Sequence, residues 1–323
     1  MARFTLASSK SIKESIRNEL TFQRSRRDAA PSIDSRPRFL EWLRIVWPDI
    51  LTMIVIGAIA LGFDKMWPPY HRLFPYIDAS GTLLAPELAY PKIRPSLSAA
   101  ASGILSVGTP IVIFVLSQFF IRHFWSLNNA VLGLLYANIG GSCFQVMIKT
   151  LVGGFRPNFL SLCQPDFSRP GANQGVQGVY HDWSICTGES KEIKNAIISF
   201  PSGHTEAAFA SFVYLSIWLN ANLKVMGSYQ PRYWKMVAVF APLMAAILIA
   251  GDLQMSYNHH WYDILMGAVI GISFALVAYR TQFAAILDSS KNDLVLFRKS
   301  TVDKATAGGK VKTRGSTDSG DLV

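Results

Sequence analysis

Apolar residues run in six long blocks, near 45–63, 98–120, 127–148, 203–220, 234–251 and 261–279, and most charged residues fall between or outside them. Each block is about 18–23 residues long, which at about 1.5 Å per helical residue suits a hydrocarbon core of about 30 Å. The pattern predicts an all-α polytopic membrane protein with six transmembrane helices. A core over 45–280 then sits between a basic tail, 1–44, and a polar tail, 281–323, that is expected to be disordered. The composition agrees, because 50% hydrophobic and 16% charged residues exclude an ordinary soluble domain. The first block follows a long basic segment and lacks a cleavage-site pattern, so it reads as a retained span and not as a signal peptide.

Charge sets the expected orientation. Twenty-two of the 31 Lys and Arg lie in the tails and in the linkers after spans two and four, and nine lie on the other side. The excess of positive charge on the cytosolic side puts both termini in the cytosol and the 149–202 and 252–260 loops on the lumenal or extracellular face. No single organelle is selected among vacuole, Golgi, endoplasmic reticulum and plasma membrane. The net charge of +10 is concentrated in the tails without a nucleic-acid-binding motif, so no nucleic-acid partner is expected. The cluster Arg24, Arg26 and Arg27 reads as a solvated topology signal or as an attachment to anionic lipid.

Three cysteines add little chemistry. Cys143 falls inside span three as a small packing residue, whereas Cys163 and Cys186 share the non-cytosolic loop, where a disulfide is the expected pairing. No CxxC or HExxH spacing is present, and neither a metal nor a cofactor is expected. Nothing in the sequence sets an oligomeric state.

Polar residues of a different kind gather where apolar blocks meet loops. Lys149 and Arg156 bracket the exit of span three, and Arg156-Pro157 after Gly153-Gly154 reads as a fixed guanidinium fork suited to an oxyanion, or as an interfacial anchor. Pro201-Ser202-Gly203-His204 opens span four, where unpaired helix N–H groups attract anions and a histidine can act as an acid. Ser202 has the alternative use of a plain N-cap. His259 and Asp263 are four apart at the start of span six, so a helix beginning by His259 would let the carboxylate orient the ring and leave its other nitrogen as a nucleophile. A polar cap on a helix entering lipid is the alternative.

The remaining ionisable positions carry less. His71, His123 and His181 read as solvated loop residues and His260 as interfacial. Asp49, beside Pro48 in span one, reads as an acid at a kink near the interface.

Taken in order, Lys149-x6-Arg156-Pro157, Pro201-Ser202-Gly203-His204 and His259-x3-Asp263 resemble the three motifs of the type 2 phosphatidic acid phosphatase (lipid phosphate phosphatase) family, including its fungal diacylglycerol pyrophosphate and phosphatidic acid phosphatases. The family pattern places Ser-Arg where this chain has Asp252-Leu253. The resemblance implies a helical core of the acid phosphatase/haloperoxidase type and a phospholipid substrate in the membrane. The implied reaction is metal-independent hydrolysis of phosphatidic acid, diacylglycerol pyrophosphate or lysophosphatidic acid. In it His259 is the nucleophile, Asp263 its orienter and His204 the acid, while Lys149, Arg156, Ser202 and Gly203 hold phosphate. Leu253 removes one phosphate donor, so a weakened enzyme or a non-catalytic member that binds phospholipid or a partner is the alternative.

Overall fold

Six long helices run back and forth through one bundle in the computed structural model, which describes residues 37–70, 72–77 and 80–298. They are α1 (Phe39–Lys65), α2 (Ala99–Ile121), α3 (Phe124–Val152), α6 (Gly203–Leu223), α7 (Tyr233–Met255) and α8 (Trp261–Gln282). Two short helices, α4 (Phe159–Cys163) and α5 (Ser190–Ala196), and the strands β1 (Leu73–Pro75) and β2 (Tyr180–Asp182) lie in the connections. The basic cluster at 24–27, His71 and the tail beyond 298 lie outside the described residues.

Five of the six, all but α6, are long and apolar enough to cross a membrane. The exception has a physical reason. α6 packs against α2, α3, α7 and α8, and none of its 21 residues is exposed. Its neighbours are helices and not lipid tails, so its sequence is free to carry Thr205, Glu206, Ser211, Ser216 and Asn220, all buried. By contrast α1 turns Leu51, Ile54, Val55, Ile59 and Leu61 outward, as a lipid-facing helix must.

Helices in lipid associate by close packing more than by the hydrophobic effect, and small residues set the approach. On α8, Gly267 and Gly271 face the backbone of α6, and a Cβ at Gly267 would lie 2.5 Å from the Ser202 carbonyl oxygen. Only glycine permits that contact. It brings the start of α8 against the start of α6, where Ser202 N–H donates to the Asp263 carbonyl at 3.0 Å.

Because the helices alternate in direction, the segments 66–98, 153–202 and 256–260 gather at one end. There the long loop builds a small core of its own. Phe74, Phe159, Leu160, Ile185, Ile193 and Ile197 pack around the Cys163–Cys186 disulfide, beneath the antiparallel β1–β2 pair. His181, expected to be solvated, is buried in β2 and accepts from Asn173 N–H at 3.1 Å, and burial holds its pKa below the ordinary value. His123 is likewise engaged, as the N-cap of α3, accepting from Ser126 N–H at 3.0 Å.

At the opposite end, residues 283–298 were expected to belong to a disordered tail, yet they pack on the bundle. Phe283 and Asn292 are buried, Tyr279 donates to the Asn292 carbonyl at 2.7 Å, and Lys224 pairs with Asp293 at 2.6 Å. The segment carries seven large apolar residues, and Phe283, Ile286 and Val295 join the helix core while Phe297 packs edge-on to Trp125, so apolar burial adds to the polar contacts with helix ends. Asp49 finds its partner here, in an ion pair with Arg298.

Candidate active site

Gly153 and Gly154 end α3 with φ of +60° and +129°, a backbone that side-chain-bearing residues rarely adopt. The turn lays the chain alongside residues 196–199: Gly154 N–H donates to the Ile197 carbonyl at 3.0 Å, Arg156 N–H to Ala196 at 2.8 Å, and Ser199 N–H to Gly154 at 2.8 Å. Two motifs far apart in sequence, Arg156-Pro157 and Pro201–His204, thereby become neighbours.

α6 begins at Gly203 with Ser202 as its N-cap. The Ser202 hydroxyl accepts from Thr205 Oγ1 at 3.0 Å and lies 3.5 Å from Thr205 N, fully enclosed. Its capping use is therefore realised. Gly203 is confined by Gln145, whose side chain would stand 3.2 Å from an added Cβ and whose amide donates to the Pro201 carbonyl at 2.6 Å.

His259 lies outside α8, contrary to the helical-face expectation, because His260 is the N-cap and the helix starts at Trp261. A turn through Tyr257, at φ +55°, replaces the helix, with Asn258 N–H and His259 N–H both donating to the Leu253 carbonyl. The imidazole still meets the carboxylate. His259 Nδ1 is 3.4 Å from Asp263 Oδ2 and 3.3 Å from Ser199 Oγ, and the Ser199 hydroxyl donates to the same Oδ2 at 2.5 Å. Since Ser199 has one proton and gives it to Asp263, its oxygen is left to accept from Nδ1–H. That places the proton on Nδ1 and the lone pair on Nε2. His260 N–H also donates to Oδ2, at 3.0 Å.

A cavity of about 120 Å³ is lined by Arg156, His204, Asn258 and His259, and by Asp252 and Leu253 from the end of α7. Arg156 Nη1 donates to Asn258 Oδ1 at 3.3 Å. Burial pulls the Arg156 guanidinium down to about 10, with Asp263 opposing, and it remains charged at neutral pH. Burial pulls His259 down to about 4, against Asp263 and with help from the charges of Arg156 and Lys149. The buried imidazole is neutral at pH 7. Lys149 does not line the cavity but lies within electrostatic reach of both histidines. Asp263 sits behind His259, and Ser202 and Gly203 lie beside the cavity and do not line it.

Leu253 lines this space and is buried, so an apolar side chain stands where the family pattern has a cation. Gln254 is exposed and neither it nor His260 lines the cavity, so neither fills that place. Ser199 and Asn258 escaped the sequence reading. Ser199 precedes its motif by two residues with no periodic signal, and Asn258 passes for a turn residue until Arg156 is beside it. Among the described residues, no group of three His, Cys, Asp or Glu is placed to hold a metal ion.

The sequence profile of the PAP2 superfamily matches residues 130–287, which contain every motif residue above. The chain is 32% identical over 231 residues to a probable lipid phosphate phosphatase 4 of Arabidopsis thaliana, covering 72% of this chain and 70% of that one. This protein belongs to the PAP2 superfamily. Among its PAP2 relatives, the probable diacylglycerol pyrophosphate phosphatase 1 of Schizosaccharomyces pombe is 30% identical over 262 residues, covering 77% of this chain and 85% of that one. The diacylglycerol pyrophosphate phosphatase 1 of Saccharomyces cerevisiae is 34% identical over 169 residues, covering 52% and 56%. No solved structure matches this PAP2 chain.

Proposed function

We propose that this PAP2 protein hydrolyses lipid phosphate esters at the membrane surface through a phosphohistidine. The observation that carries the reading is the ring of His259, held through Nδ1 by Asp263 and Ser199 in a cavity shared with Arg156 and His204. Nε2 of His259 attacks phosphorus and forms an N–P bond as the ester P–O bond breaks. His204 gives its proton to the departing alkoxide. Water then attacks the phosphohistidine, His204 takes a proton from it, and inorganic phosphate leaves with His259 restored. Arg156 and Lys149 offset the charge that grows on the phosphoryl oxygens, and the positive N-terminal end of α6, which enters the cavity wall at His204, favours them as well.

The relatives' names support a lipid phosphate, diacylglycerol pyrophosphate among them, as the substrate class, and phosphatidic acid and lysophosphatidic acid are the other proposed members of that class. The excess of Lys and Arg at the opposite end supports cytosolic termini and a lumenal or extracellular site. Leu253 in the cavity wall favours a second reading, a phospholipid-binding member with little turnover. Purified protein given dioctanoyl phosphatidic acid with EDTA present separates the two. Phosphate release supports hydrolysis; lipid binding without release sinks it in favour of the second reading.

A further inference from the structure

The catalytic cavity has two unlike walls. One carries Arg156, His204, Asn258 and His259, and the other is built from Pro95, Leu97 and Ser102 at the start of α2 with Ile249 and Leu253 from α7. The first wall suits phosphate. The second is apolar except for the Asp252 carboxylate, which is taken up by backbone N–H groups, and Ser102, whose hydroxyl is buried and makes no hydrogen bond among the described residues. A helical serine normally donates to a carbonyl one turn back, as Ser117 does to Phe114 at 2.6 Å on the same helix. Ser102 does not, although a buried hydroxyl without a partner is disfavoured. Ser106, one turn deeper, is equally partnerless but does not line the cavity.

Asp252 ties this second wall together. Its two carboxylate oxygens accept from the Ser96 and Leu97 N–H groups at 3.1 and 3.3 Å, which fixes the approach to α2 against the end of α7. Outward from that clasp, Ile104 and Leu105 on α2 and Ile247 and Leu248 on α7 are exposed, as lipid-facing residues are. A cavity of about 120 Å³ holds a headgroup and not a whole lipid, so the chains must lie outside it.

We propose that the α2–α7 wall is the subsite for the glyceryl ester portion of a lipid phosphate, with the Ser102 hydroxyl as its contact and Asp252 as a positioning residue. This rests on the phosphatase reading above. With phosphorus at His259, the ester side of the substrate faces Pro95, Leu97 and Leu253, the Ser102 hydroxyl donates to an ester oxygen, and the acyl chains leave between α2 and α7 into the bilayer.

The test uses the full-length protein in mixed micelles, with kcat/KM measured for dioleoyl phosphatidic acid and for p-nitrophenyl phosphate, and with vanadate inhibition followed on the second. Ser102→Leu, which fills the wall, is expected to lower the ratio of lipid to p-nitrophenyl phosphate kcat/KM about tenfold, while vanadate affinity shifts less than about threefold. Ser102→Ala and Asp252→Ala lower the same ratio in part, chiefly through KM, and Asp252→Asn, which keeps one acceptor, recovers some of it. Equal losses on both substrates, or an unchanged ratio in all three of Ser102→Leu, Ser102→Ala and Asp252→Ala, overturn the subsite while phosphatase activity stands. A wild-type protein that hydrolyses neither compound removes the phosphatase reading, and the subsite with it.

Discussion

Ser199 donates its only proton to Asp263 at 2.5 Å and lies 3.3 Å from His259 Nδ1, so a single hydroxyl connects the carboxylate to the imidazole. The triad-like logic of a base held in one tautomer is thus supplied by a residue outside all three motifs. Ser199→Ala is expected to lower kcat about ten- to a hundred-fold, since hydrogen bonds to charged groups contribute about 1.5–3 kcal/mol. KM should move little. An unchanged kcat in a protein that expresses normally would show that Asp263 alone orients the ring.

His259→Ala should abolish turnover with the bundle intact, because the ring packs in a polar pocket and not in a helix interface. Acid-quenched wild-type protein given labelled substrate should carry phosphate on His259. Label on any other residue, or activity near wild type in the variant, removes the proposed nucleophile.

Leu253→Arg should tighten phosphate binding, because Leu253 lines the cavity beside Arg156 and Asn258. The gain is at most about a hundred-fold in KM or vanadate inhibition. Asp252 is already engaged by Ser96 and Leu97, which limits its withdrawal of the new guanidinium. A loss of affinity would mean that repulsion from Arg156 outweighs the added donor.

His259 is pulled down to about 4 by burial. Its ring should therefore stay neutral through pH 5 and take a proton only as the pH falls toward 4, well below the ordinary histidine value of about 6.5. Between those two values the unfolded chain binds a proton that the folded chain refuses, so this group makes stability rise with pH across that window and adds no slope above it. Histidine side-chain NMR, with the signal assigned by its loss in His259→Ala, checks this. A midpoint near 6.5 contradicts it.

The site needs the 153–202 and 256–260 segments on one face of the membrane. Single cysteines at the exposed positions Ser190 and Gln254, in a Cys143→Ala background that keeps the disulfide, should react with an impermeant maleimide from the same, non-cytosolic side. A cysteine at Tyr229, 51% exposed at the other end, should react from the cytosol. Labelling of Ser190 and Gln254 positions from opposite sides would contradict the six-helix path through the bilayer.

The sequence by itself determined the six helices and the family. Both follow from local rules: apolar length against bilayer thickness, and short motifs whose spacing survives in one dimension. It also reads α6 as an ordinary span, because a helix enclosed by other helices and one facing lipid differ in neighbours that a sequence does not list. Tertiary structure alone decided the rest. Ser199 reaches Asp263 across 64 residues, and Asn258 reaches Arg156 across 102. Asp252 clasps a loop 155 residues earlier, and Arg298 neutralises Asp49 from the far end of the chain. None of these pairs has a periodic or compositional signal. The first two exist because Gly267 and Gly271 let α8 close onto α6, and because the Gly153-Gly154 turn folds the α3 exit back beside them, whereas the last two need α7 beside the approach to α2 and residues 283–298 packed on the bundle.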